Sequence, residues 1–143
     1  MSERGDIRAD LAMLFGTNNV PSAQAVYKYQ KMKLQGESPV VMIMGNGDDP
    51  VPFVKGTDNH YYFEVGIFVL HGDPNDAGYN EDDAEDALDN VKSEINEVFR
   101  NEDNRRSVRW EEFRQDGRSA ITRLPMEGEP YLMEIVPVLV RKF

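Results

Sequence analysis

Residues 60–71 read His60-Tyr61-Tyr62-Phe63-Glu64-Val65-Gly66-Ile67-Phe68-Val69-Leu70-His71. The odd positions Tyr61, Phe63, Val65, Ile67 and Val69 are all apolar, β-branched or aromatic. That is the period-2 signature of a strand with one face on a core. The even positions are mixed: Tyr62, Glu64, Gly66, Phe68 and Leu70. The second face is wet near Glu64, whereas Phe68 and Leu70 require cover from another element or from a second subunit. One strand with two apolar faces points to an interface, with Phe68 and Leu70 as its candidate residues.

Downstream, residues 71–83 (HGDPNDAGYNEDD) form an acidic linker into the strongest helical pattern of the chain. Ala84, Ala87, Leu88, Val91, Ile95, Val98 and Phe99 recur at helical spacing and fill an arc of about 120°. Asp82 and Asp83 stand where a helix start favours negative charge. Glu85, Asp86, Asp89 and Glu97 lie outside the apolar arc. They read either as a solvated face opposite a buried stripe or as an acidic surface for a partner.

Upstream, Asp6 can cap a short helix in which Ile7, Leu11 and Leu14 recur and which Gly16 ends. Ala25–Tyr29 reads as a strand with a Tyr27/Tyr29 face, and Ser38–Met44 as a second short strand. Residues 45–59 (GNGDDPVPFVKGTDN) are punctuated by Gly and Pro and read as a loop. This loop and the segment 71–82 are expected to be mobile.

The last third reads as three strands. The first begins at Val108-Arg109-Trp110 and includes Phe113, with Glu111-Glu112 breaking the alternation as a bulge would. Asp116-Gly117 signals a type I′ hairpin into Ala120–Leu124. The turn Glu127-Gly128 leads into residues 131–140. Pro137 cannot donate to a ladder, so it is expected on a sheet edge or at a bulge, and at a subunit contact. The expected class is α+β, two helices packed against a mainly antiparallel sheet, as one domain over residues 1–143.

Composition narrows the function. At 143 residues, 40% hydrophobic and 29% charged, the chain is long enough to bury a core without staples. Cysteine is absent, which removes disulfides, thiol catalysis and thiolate zinc sites. No apolar run approaches the roughly 20 residues of a membrane span, and MSERGDIRAD is too polar for a secretory signal. The expected place is the cytoplasm, or an assembly built there. The net charge of −10 is concentrated in residues 71–103, where twelve acids face only Lys92 and Arg100; the remainder sums to zero. A general nucleic-acid binder needs the opposite balance.

Chemical motifs fail one by one. His60 and His71 would stand about 36 Å apart on opposite faces of one straight strand, so they cannot share a metal unless that strand folds back. Asp73–Gly78 starts like a calcium loop, but Ala77 and Ala84 occupy ligand positions five and twelve. Gly45-Asn46-Gly47 opens like a dinucleotide fingerprint, with Pro50 where the third glycine belongs. Gly36-Glu37-Ser38-Pro39-Val40 lacks the closing glycine of a nucleophile elbow. Glu64 and Glu134 read as solvent-side strand residues rather than a glycosidase pair. No enzyme activity, metal or cofactor is expected.

Arg105, Arg106, Arg109, Arg114, Arg118 and Arg123 make 105–123 a basic strip of net +3, interleaved with Trp110 and Phe113. The strip reads as arginines pointing out of a hairpin beside a core tryptophan, as a stacking surface for nucleic acid, or as the complement of the acidic helix on a neighbouring subunit. Arg105, Arg106 and Arg109, with Phe68, Leu70 and Pro137, are the candidate interface residues.

The chain resembles the tail terminator (tail completion) proteins of long-tailed bacteriophages. The likeness runs in order through Ile7-Arg8-Ala9-Asp10-Leu11, Ser38-Pro39-Val40-Val41 and Tyr62 to Val69. It continues through Asp83-Ala84-Glu85-Asp86-Ala87-Leu88-Asp89, and through Gly128–Tyr131 with Glu134–Val138. The linker 73–83 is longer than in that layout. The resemblance implies a small α+β virion protein that forms a hexameric ring, caps the tail tube, stops its polymerisation and offers a surface for head joining. Its implied partners are further copies of itself, the tail tube protein and a head–tail connector, with DNA only passing through the channel and no membrane. Asp82, Asp83, Glu85, Asp86 and Asp89 would then line either a subunit contact or the lumen, where they would repel passing DNA. The alternatives are a head–tail connector or stopper and a small cytoplasmic enzyme.

Overall fold

The strand read from residues 60–71 is the centre of the molecule. In the computed structural model, residues 3–16, 18–31, 33–34, 36–50, 59–70, 81–105, 110–126 and 129–142 are described, without the side chains of 48–50, 59, 81–82, 124–126, 129 and 142. The elements run α1 (Glu3–Leu14), β1 (Ala25–Tyr27), β2 (Val40–Pro50), β3 (Asn59–Leu70), α2 (Glu81–Arg100), α3 (Glu102–Arg105), β4 (Glu112–Gln115), β5 (Ala120–Met126) and β6 (Glu129–Lys142). β3 pairs antiparallel with β2 on one side and with β6 on the other. The sheet order is β1-β2-β3-β6, with β4 and β5 both on the far side of β6. β1 lies parallel to β2, so this α+β sheet is mixed.

Its two faces are unequal. The odd residues of β3 all face the helices, as the alternation requires. They join Ile7, Leu11 and Phe15 from α1 and the stripe Ala84, Leu88, Val91, Ile95 and Val98 from α2 in one core. The opposite face carries a small cluster of Leu34, Val40, Met42, Phe68 and Tyr131. Leu34 reaches it because parallel neighbours need a long crossover, and the β1–β2 connection passes over this side. Gly66 makes the close packing possible. A Cβ there would lie 2.8 Å from Phe68 Cε2 and 2.9 Å from Met44 Cε.

Several boundaries depart from the sequence reading. All of 45–50 is strand, not loop: β2 continues to Pro50, paired with Asn59. One extra residue is absorbed between Gly45 and Asp48, where Gly47 takes φ 92, the arrangement of a glycine bulge. Residues 51–58 and 71–80, with the calcium-like segment and His71, lie outside the described residues. α1 starts at Glu3, so Asp6 sits inside it rather than capping it, and α2 starts at Glu81, taking in the end of the expected linker. β1 stops at Tyr27. β4 starts only at Glu112, so Glu111-Glu112 is its entry and not a bulge within it.

The Asp116-Gly117 hairpin is also overturned. β4 and β5 do not pair with each other; both pair antiparallel with β6, one after the other. From Gln115 to Ala120 the chain spends five residues where β6 moves three, from Val138 to Ile135. Asp116–Ser119 therefore bows out as a bulge between collinear strands, with Gly117 at φ 96. Pro137 lies opposite this break, neither on an edge nor at a bulge of β6, whose pairing with β3 is unbroken. Its carbonyl accepts from Asp116 N–H at 2.8 Å. A strand residue turns its N and O to the same side, so the missing donor falls in the gap between β4 and β5 and costs β3 nothing. The turn at Glu127-Gly128 lies outside the described residues, but Met126 pairs with Glu129 across it as a hairpin requires.

Candidate functional site

The interface candidates separate in space. Phe68 is 3% exposed and covered by its own chain, so it has no surface to offer a second copy; the cover it required is the β1–β2 crossover and Tyr131. Leu70 is half-buried at the rim of the same cluster, and its N–H donates to Ser38 Oγ at 2.8 Å. Pro137 is half-buried mid-sheet. Arg105 is exposed on α3, while Arg106 and Arg109 lie outside the described residues. On α2, Asp83, Glu85, Asp86 and Asp89 are all exposed, and the side chain of Asp82 lies outside the described residues.

The aromatic residues of the basic strip are not stacking platforms. Trp110 and Phe113 are buried, their ring centroids 5.4 Å apart, and Phe113 stacks on Phe99 at 4.9 Å. Trp110 Nε1 donates to the Asn104 carbonyl at 2.7 Å. A base cannot reach rings committed to the core, which removes the nucleic-acid reading built on them. Beside them, a groove of about 1030 Å³ is walled by Glu102, Asp103, Glu111 and Glu112 against Arg105, Arg114 and Arg141. Its charges largely offset, and Arg114 is held by Glu112 at 2.9 Å and Asp116 at 3.2 Å.

Glu64 and Glu134 cannot converge. Glu64 sits on an even position of β3, while Glu134 pairs with Ile67 and so faces the helices. Glu134 is 4% exposed, which corrects its reading as a solvent-side residue. Apolar neighbours on both faces of β6 left no alternation from which to tell its side. Ser119 Oγ donates to Glu134 Oε2 at 2.6 Å and ties the Asp116–Ser119 bow to the underside of α2. Lys92 reaches in from α2, bonding to Asn96 Oδ1 and, at 3.2 Å, to Gln115 Oε1. Burial holds its ammonium pKa below the ordinary lysine value; the Glu134 charge opposes that shift and Arg100 adds to it.

This anchored bow delivers β5 to the margin of the sheet. Among the described residues β5 pairs with β6 alone, so its other edge is open. Ala120, Ile121, Thr122 and Arg123 are all exposed, Ile121 at 60%. Arg123 Nη2 lies 3.8 Å from Glu85 Oε1, bringing the basic margin beside the start of the acidic helix. Ile121 was not singled out by sequence, because a lone isoleucine in a short strand reads as core.

No family model matches the chain, and no curated protein matches it.

Proposed function

We propose that this chain is a structural protein that works as a ring of copies, a phage tail terminator that caps the tail tube, stops its growth and presents a surface for head joining. The observation that carries the reading is an edge strand with exposed Ile121 and Arg123, preceded by exposed Arg118, on a chain whose α2 exposes Asp83, Glu85, Asp86 and Asp89. Unlike surfaces on one body favour head-to-tail contact, and such contacts close into rings when the rotation allows. A terminator needs no reactive group; it acts by shape and charge, through edges that accept a neighbour and refuse further subunits. The copies remain confined to the virion neck, assembled in the host cytoplasm.

Negative-stain imaging of purified protein, alone and with tube subunits, tests this reading. Sixfold rings with a central channel, seated at tube ends, are the expected result. In particles from which the gene has been deleted, overlong or unjoined tails support termination. Tails of normal length beneath heads that leak DNA would instead identify a connector.

A further inference from the structure

We propose that the outer margin of β5, from Gly117 to Arg123, is the surface that receives a second copy of this chain, seated on that copy's α2 at Asp86 and Asp89. The inference rests on the ring reading and names the surfaces that meet.

Three observations converge on the margin. First, β5 has one strand neighbour among the described residues, which leaves its outer side within reach of a second copy. Second, Ile121 is 60% exposed at the second position of β5, a strand end already held in place by the Ser119–Glu134 hydrogen bond. A contact built there orders little that is not already ordered, which keeps the entropic cost of association low. Third, 117–123 carries Arg118 and Arg123 and no acid, and Arg118 makes no ion pair among the described residues.

Charge selects the occupant. The first half of α2 holds Asp83, Glu85, Asp86 and Asp89 with no base before Lys92. Glu85 is turned toward its own Arg123; one helix step of about 100° directs Asp86 onward to solvent, away from that pair. Asp86 and Asp89 make no ion pair among the described residues. Among the described residues the opposite edge of the sheet is β1, which is followed by the exposed Lys28, so pairing β1 of a second copy with this margin would bring like charges together. The margin points sideways from the sheet, whereas the outward face of α2 points out of the helix layer. A contact between them is heterologous, and it closes into a ring when the rotation between copies allows.

Sedimentation velocity on the full chain tests the proposal. Arg118→Glu and Asp86→Lys each weaken association by about tenfold or more, and the two combined restore it, because the pair is reversed rather than removed. Ile121→Asp abolishes the ring while the protomer still unfolds in one cooperative thermal transition, at a lower midpoint than the assembled wild type. Rings that persist in Ile121→Asp would overturn this surface and leave the ring reading standing. Failure of the reversed pair to recover assembly would overturn the match with α2 and release the acidic face for the channel. A wild type that remains monomeric at every concentration would overturn the ring reading itself.

Discussion

The two faces of the sheet solve the burial problem at different scales. On the helix side, α1 and α2 cover the odd residues of β3 and the even residues of β6 in one continuous core, extended by the Phe15, Phe99, Phe113 and Trp110 rings. On the other side, the β1–β2 connection brings Leu34 onto four buried residues of the sheet, helped by a glycine that lets Phe68 and Met44 close in. The first face defines the fold. The second is thin, and its stability rests on few contacts, so the same type of truncation should cost less there.

That contrast can be broken by paired measurements. Phe63→Ala, in the helix-side core, should lower unfolding free energy by about 3–5 kcal/mol in urea titrations. Phe68→Ala should cost about 2–3 kcal/mol, because the shallow cluster can partly collapse into the space. An equal loss at both sites would show that the faces are energetically alike. Gly66→Ala sharpens the point: the added methyl meets Phe68 and Met44, and about 1–3 kcal/mol is expected. Ser119→Ala leaves Glu134 buried without its donor and should cost about 2 kcal/mol. A neutral Ser119→Ala would mean the bow between β4 and β5 is held by its backbone alone.

The smallest effect concerns pH at the thin face. Tyr27 OH donates to Glu37 Oε1 at 2.6 Å, and Lys31 Nζ lies 3.3 Å from the same oxygen and 4.4 Å from the centre of the Tyr27 ring. The Tyr27 hydrogen bond, with Lys31 behind it, holds the Glu37 pKa below the usual carboxylate range. Stabilisation from Glu37 is therefore present above about pH 4.3 and disappears as pH falls through its lowered folded value. The hydrogen bond with Tyr27, ahead of the Glu37 contacts, raises the Lys31 pKa, so its contribution is present below about pH 10.4 and is lost as pH rises past the folded value. Tyr27→Phe should flatten the acid limb of stability against pH slightly; an unchanged limb would assign it to other carboxylates.

How far these features were legible in the chain depended on periodicity. β3 and α2 each present one uninterrupted pattern, and their buried faces follow residue by residue. The class also followed, since both helices must cover one side of a sheet. Where local signals compete, tertiary pairing prevailed. Asp116-Gly117 carries a hairpin signature, yet the long β6 takes β4 and β5 in succession and converts the turn into a bow. Gly45-Asn46-Gly47 reads as loop punctuation, yet a single positive φ lets β2 continue beside β3. The site residues were harder to see. Phe68 looked unpartnered because nothing in the pattern assigns Leu34 to its face. Glu134 and Ile121 reverse the usual expectation for acids and isoleucines, and only the shared register of β5 and β6 brings them into view.

The mass of the native particle reports whether six copies assemble. Native mass spectrometry of the purified chain should give a discrete species at six times the 16.3 kDa protomer, lost in Ile121→Asp without loss of fold. A single species at the protomer mass over the whole concentration range, with and without tube subunits, would contradict the account.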